Sequence, residues 1–99
     1  MLKPYQKAYL KKLANPISHR YLIGKGGLDD KFVVELNNAL EARELIKVGI
    51  LQNASCEPKE IAEELAERLN ADLVQIIGRV MVYYRKSKKN PKIVVPVRD

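Results

Sequence analysis

The chain is poor in the residues that build covalent or metal chemistry. Cys56 is the only cysteine and His19 the only histidine among 99 residues. A single thiol makes no disulfide framework and leaves no thiolate cluster for zinc. A Cys–His nucleophile pair would need the two side chains adjacent, with a third group orienting them, and their spacing does not suggest it. No apolar run approaches the roughly 18 residues of a membrane span. Lys3, Pro4 and Lys7 precede no apolar segment of the kind that marks a secretory signal. The P-loop pattern G-x-x-x-x-G-K-[ST] is missing. The chain is therefore expected to be cytoplasmic, not an enzyme, and without cofactor, metal or small-molecule substrate.

What is present is size, apolar content and an uneven charge. Ninety-nine residues, 46% of them apolar, suffice for one domain with a modest core. The net charge of +6 is unevenly spread. Residues 1–28 hold six basic groups and no acid, residues 29–72 carry a net −6, and residues 73–99 a net +6. Such a chain can fold with one positive and one negative face, and the positive one would attract a polyanion.

Local signals order the elements. Pro4 suits the first turn of a helix, Tyr9, Leu10 and Leu13 line it, and Asn15-Pro16 ends it. Residues 17–23 are expected as a first strand, followed by Gly24-Lys25-Gly26-Gly27. Leu28 and Asp29 read as a hydrophobic staple residue and an N-cap for a second helix lined by Val33, Leu36, Ala39 and Leu40. Residues 45–52 form a second strand, in which Gly49 marks a bulge or a close approach. Pro58 opens a third helix with Ile61, Ala62, Leu65, Ala66 and Leu69 inside and glutamates outside. Strands at 73–77 and 80–84 flank the two-residue turn Gly78-Arg79, a hairpin signature. Residues 86–92 are expected as an extended basic arm, and 93–97 as a short edge strand. The order α-β-α-β-α-β-β predicts an α/β domain, a small mixed sheet with helices packed on it.

The glycine turn is the most specific feature. Glycines let a backbone approach closely and adopt positive φ, and a strand–turn–helix junction offers amide donors to an anion. Gly24 to Gly27 also satisfies G-x-x-G, by which KH-type domains clamp a nucleic-acid backbone. Asp29 and Asp30 compete for the same amides, so a shallow backbone contact is expected rather than a deep phosphate pocket.

Four segments in order then resemble one family: residues 22–28 (LIGKGGL), 42–48 (ARELIKV), 74–79 (VQIIGR) and Tyr84-Arg85. They are similar to the CRM domain (chloroplast RNA splicing and ribosome maturation) in its stand-alone bacterial YhbY-like form, over about residues 3–96. The resemblance implies a compact α/β fold similar to the C-terminal domain of translation initiation factor three. It also implies RNA binding by the basic face around the G-x-x-G loop, in bacteria on precursors of the large ribosomal subunit. Residues 1–97 would be one such domain, with 86–99 a basic C-terminal arm. Tyr83 stands where the family more often has Leu, and is either packing or an added stacking surface.

The candidate RNA-binding residues are Gly24, Lys25, Gly26 and Gly27, with Lys7, Lys11, Arg20, Arg79 and Arg85 extending the patch. A solvated helix face accounts equally well for Lys7 and Lys11, and Arg85 could instead pair with a carboxylate at the core's edge. Tyr5, Tyr9, Tyr21, Tyr83 and Tyr84 could stack on bases, worth about 1–3 kcal/mol each, although packing is the default for most. The partner is expected to be ribosomal RNA, and the chain a monomer. A protein-interaction module that docks its basic face on an acidic protein remains open, as does RNA binding in splicing or messenger regulation.

Overall fold

The computed structural model describes residues 2–18, 20–24, 26–52 and 57–97. Seven elements follow in the expected order: α1 (Pro4–Ala14), β1 (Tyr21–Ile23), α2 (Asp30–Arg43), β2 (Leu45–Ile50), α3 (Pro58–Leu69), β3 (Asp72–Ile77) and β4 (Val80–Tyr84). The strands make one sheet in the order β1-β2-β4-β3. β1 runs parallel to β2, with Tyr21 opposite Val48, while β4 is antiparallel to both of its neighbours.

The interior strands are largely apolar because helices pack on both faces of the sheet. Met81 and Tyr83 of β4 join a core with α2 and α3, including Leu36, Leu40, Leu65 and Leu69. Val82 and Tyr84 point the other way, into a smaller core with Leu10 and Ala14 of α1. Tyr83 is fully buried, and its hydroxyl donates to the Ala62 carbonyl of α3 at 2.8 Å. Tyr83 is therefore packing, and no base can reach it. Burial pushes its phenol pKa upward.

Local chemistry sets the element ends. Asp29 caps α2 by accepting the Phe32 N–H at 2.7 Å. Gly78 turns the β3–β4 hairpin at φ 56. Asn70, at φ 51, closes α3 in the left-handed conformation that asparagine tolerates. Gly49 marks a close approach: a Cβ there would lie 3.0 Å from Leu22 Cδ2. The sheet's irregularity lies elsewhere, on β3 between Leu73 and Gln75.

Several boundaries differ from the sequence reading: β2 ends at Ile50 rather than residue 52, and β3 starts one residue earlier, at Asp72. β1 begins only at Tyr21, because the polar Ser18 and Arg20 contribute nothing to the core; His19 lies outside the described residues. No strand forms at 93–97. Nor does the basic stretch after Arg85 project from the body, since two carboxylates hold it down. Glu44 accepts the backbone N–H groups of Ser87, Lys92 and Ile93 at 2.8, 2.6 and 2.7 Å. Glu41 accepts the Ser87 hydroxyl and the N–H groups of Lys88 and Lys89. Amides bound to side-chain carboxylates cannot also feed a strand ladder.

These donors set the acid response. The Lys88 N–H, Ser87 hydroxyl and Lys89 N–H lower the Glu41 pKa to about 2. Burial would raise that of Glu44, but the N–H groups of Ser87, Ile93 and Lys92 outweigh it and hold it below its ordinary value. A carboxyl depressed on folding stabilises the fold above its unfolded value, near 4.5, and loses that contribution as pH falls through the folded value. We expect the amide resonances of Lys88 and Lys89, on Glu41, to titrate between about pH 4.5 and 2. Those of Ser87, Lys92 and Ile93, on Glu44, are expected to titrate below that group's ordinary value as the segment releases. Amide shifts that stay constant over that range, with the fold intact, would show that these amides do not sit on the carboxylates.

Candidate nucleic-acid interface

The end of the sheet where β1 and β2 finish gathers three connections. β1 leads into Gly24, and the Gly27 N–H donates to the Gly24 carbonyl at 3.1 Å, closing a tight turn. Leu51, just past β2, donates its N–H to Ile23 at 2.9 Å, and its side chain lies against Gly24. The β3–β4 hairpin completes the group. The Arg79 carbonyl accepts the Ile50 N–H at 2.8 Å, and its guanidinium donates to the Gln52 carbonyl at 3.3 Å. A second guanidinium nitrogen, Nη1, is buried with no partner among the described residues.

The glycines of the turn are not equivalent. Gly27 has φ 74, where a side chain is strained. Gly24 and Gly26 have no such constraint. A Cβ at Gly24 would make an ordinary 3.8 Å contact with Leu51, and at Gly26 would meet nothing within 4 Å among the described residues. The fold thus requires glycine at 27 only, and the small size of the other two is turned outward. The Phe32 amide of α2 is already taken by the Asp29 carboxylate, which competes with an anion at that helix start.

The candidate residues divide by position. Arg20 precedes β1, level with Lys47 of β2 in the parallel register. The two line a shallow cavity of about 140 Å³, with Ala14 and Asn15 at the end of α1. Lys11 is exposed in the last turn of α1, where a cation also favours the helix dipole. Lys7 lies one turn earlier and is half-buried. Lys25 lies outside the described residues, as does Cys56. Arg85 is at the far end of β4 and is otherwise engaged. It donates to Asn37 Oδ1 and the Leu69 carbonyl, both at 2.7 Å, and to the Asn37 carbonyl at 3.0 Å. Its guanidinium ties α2 to the end of α3, and no carboxylate is its partner in these bonds. Lys47 was missed by the sequence reading; as the lone charge in an otherwise apolar strand, it could have been singled out.

The surroundings reinforce the polarity of this end. α3, with Glu60, Glu63, Glu64 and Glu67 exposed, packs on the opposite sheet face from α1. Arg68 neutralises part of that acidity, at 2.9 Å from Asp30 and 3.8 Å from Glu64. An apolar cleft of about 270 Å³, bounded by Leu13, Ile17, Leu45 and Ile93, lies towards the start of β2 and away from the glycine turn. Among the described residues no group of three or more His, Cys, Asp or Glu could hold a metal, and no helix is long and apolar enough to cross a membrane.

The unequal roles of the glycines have a direct consequence for stability. Gly26→Ala is expected to melt like the wild type, while Gly27→Ala loses about 1–2 kcal/mol through its left-handed φ. Thermal unfolding followed by circular dichroism measures both. Equal losses at the two positions would contradict this division.

Known proteins share this arrangement across nearly the whole chain. Residues 2–85 match the CRS1 / YhbY (CRM) domain. The chain is 41% identical over 96 residues to the Probable RNA-binding protein YqeI of Bacillus subtilis, covering 97% of this chain and all of that one. It is 36% identical to a Haemophilus influenzae protein named RNA-binding protein, covering 96% and 95% of the two chains. The solution structure of the hypothetical protein SAV1595 from Staphylococcus aureus superposes with a TM-score of 0.80 at 46% identity, over 97% of this chain and 100% of that one. With the fold, the glycine turn and these matches in agreement, the chain belongs to the CRS1/YhbY (CRM) domain family.

Proposed function

We propose that this protein binds RNA as a monomer through the sheet end that carries the glycine turn, and that its target is ribosomal RNA in precursors of the large subunit. The observation that carries the reading is the convergence there of Gly24, Gly26, Arg20 and Arg79. Its relatives are named as RNA-binding proteins. In the proposed mode the RNA backbone lies against the turn, where the missing side chains of Gly24 and Gly26 allow close approach. Lys25 and Arg79 meet phosphates, while Arg20, Lys11 and Lys7 extend the attraction along α1. Arg85 contributes through the fold, since its guanidinium is held by Asn37 and Leu69. The acidic face of α3 repels the same backbone and so orients the approach.

Phosphate contacts release counterions, so affinity must fall with salt, with a log–log slope of roughly −0.7 per neutralised phosphate on a single strand. Replacing Lys25 with Ala, or Arg79 with Gln, is expected to weaken binding and flatten that slope by about 0.7 each, whereas Glu64→Gln leaves both unchanged. Fluorescence anisotropy with a labelled RNA hairpin at several salt concentrations reads both quantities. Slopes that ignore the Lys25 and Arg79 variants would remove the glycine turn from the interface. Ultraviolet cross-linking in cells then tests the target: discrete sites on large-subunit ribosomal RNA are expected, and enrichment on messengers or introns would assign the same surface a different RNA.

A further inference from the structure

The sheet face that carries α1 is only partly covered. α1 stops at Ala14, before Asn15 and Pro16, and buries Leu45, Val74, Val82 and Tyr84 beneath it. Beyond its end the described residues leave the same face uncovered toward the glycine turn. Strand alternation puts Arg20 and Leu22 on this side, because Tyr21 and Ile23 pack into the opposite core. Lys47 and Gly49 share the side by the same alternation, since Ile46, Val48 and Ile50 face the other way.

The irregularity in β3 adds two more residues. Leu73 lies opposite Tyr83 and packs with the α2–α3 core, but the next paired residue, Gln75, lies opposite Val82, on the α1 side. Val74 is the extra residue of a bulge, and it reverses the alternation that follows. Gln75 and Ile77 are thereby turned onto the uncovered face, beside Val80 and Val82. The result is an apolar floor with a polar rim. Leu22 is 53% and Ile77 62% exposed, and Gly49 lets Leu22 lie close over the β2 backbone. Arg20, Lys47, Gln75 and Asn15 border the cavity of about 140 Å³, and no carboxylate lines it.

We propose that this uncovered half-face takes an unpaired base of the RNA strand whose backbone lies at the glycine turn. The inference rests on the RNA-binding reading and adds a base contact to its phosphate contacts. A base has an apolar face and a hydrogen-bonding edge. The floor of Leu22, Ile77 and Val80 meets the face, the Arg20 guanidinium can lie parallel to it, and the Gln75 and Asn15 amides donate to and accept from the edge. The cavity is far smaller than the roughly 300–1,000 Å³ of an enclosed small-molecule site, and suits one flat group lying on a surface. Its cationic rim favours a group attached to a phosphate chain, and only one residue separates Leu22 from Gly24 along β1, so one strand can reach both. Base contact here is selective for unpaired nucleotides, because a paired base has neither its face nor its edge free.

Two labelled probes test this: an RNA hairpin with a mixed-sequence loop, and the same hairpin with abasic loop nucleotides. Ile77→Ser and Gln75→Ala replace exposed or half-exposed side chains, and unchanged thermal unfolding verifies the fold. Each is expected to weaken binding of the base-bearing hairpin about five-fold, as for loss of a partial apolar contact or one hydrogen bond. The salt slope should stay unchanged, and so should affinity for the abasic hairpin. Wild-type affinity of both variants for both hairpins, with Arg79→Gln still weakened, would overturn the base contact and leave the RNA-binding reading standing. Failure of the wild type to bind either hairpin would overturn both. Sedimentation that shows a dimer abolished by Ile77→Ser would assign the face to a second copy of the chain and overturn the proposal.

Discussion

Glu44 is the residue on which the geometry of one whole end of the molecule depends. It is fully buried, and it stands between α2 and β2 with φ 67, a conformation unfavourable for any side chain. Five bonds at its backbone and side chain explain why the strain persists. Its N–H closes the last turn of α2 on Leu40, its carbonyl receives the Arg85 N–H beyond β4, and its carboxylate collects the amides of Ser87, Lys92 and Ile93. A buried charge without partners would be strongly unfavourable, and here the partners are the backbone of the segment that follows the sheet. Arg85 works beside it, joining α2 to α3. Helix end, strand start, strand end and tail are thus one hydrogen-bonded unit.

The two ends of the sheet divide labour along the strands. At the Glu44 end, two glutamates hold amides and an arginine holds carbonyls, while Lys86, Lys88 and Lys89 stay exposed. At the glycine-turn end, the cations are spent on little within the fold. Arg79 has one long bond of 3.3 Å, and Arg20 stays exposed. A fold that satisfies its own polar groups at one end can expose cations at the other without losing core stability. The net charge therefore tells less about function than the question of which charges are already neutralised by neighbours.

Much of the architecture was legible because its signals were local. Asp29 as N-cap, Gly78 as the positive-φ residue of a two-residue turn and the apolar stripe of α3 each follow from a few neighbouring residues, and each stands where it was expected. What was not legible depended on long-range partners. The tail from Ser87 to Ile93 has the composition of a basic arm, but its course is set by two glutamates more than 40 positions earlier. Residues 93–97 are expected from the sequence as a short edge strand, but none forms, and the Ile93 amide is taken by Glu44. Arg85 reads in the sequence as an RNA contact or a carboxylate's partner, because Asn37 and Leu69, which hold it, are distant in sequence. The bulge at Val74 cannot be read from β-propensity, yet it decides which side Gln75 and Ile77 face.

The glycine turn shows how the requirements of folding and recognition can be separated within four residues. A glycine kept for φ reports on the backbone's own needs, and Gly27 is such a residue. At Gly24 and Gly26 a Cβ would meet only an ordinary contact or open space, so the packing of the described residues does not require glycine there. Gly49 is a third kind, required by the close approach of Leu22 and so by the flatness of the uncovered sheet face. The sequence G-x-x-G does not distinguish these cases, because it records only that a side chain is missing. The structure distinguishes them by what a methyl group would touch. On that basis Gly27 is the turn signal in the pattern, and Gly24 and Gly26 are the positions at which the proposed RNA contact accounts for the missing side chain.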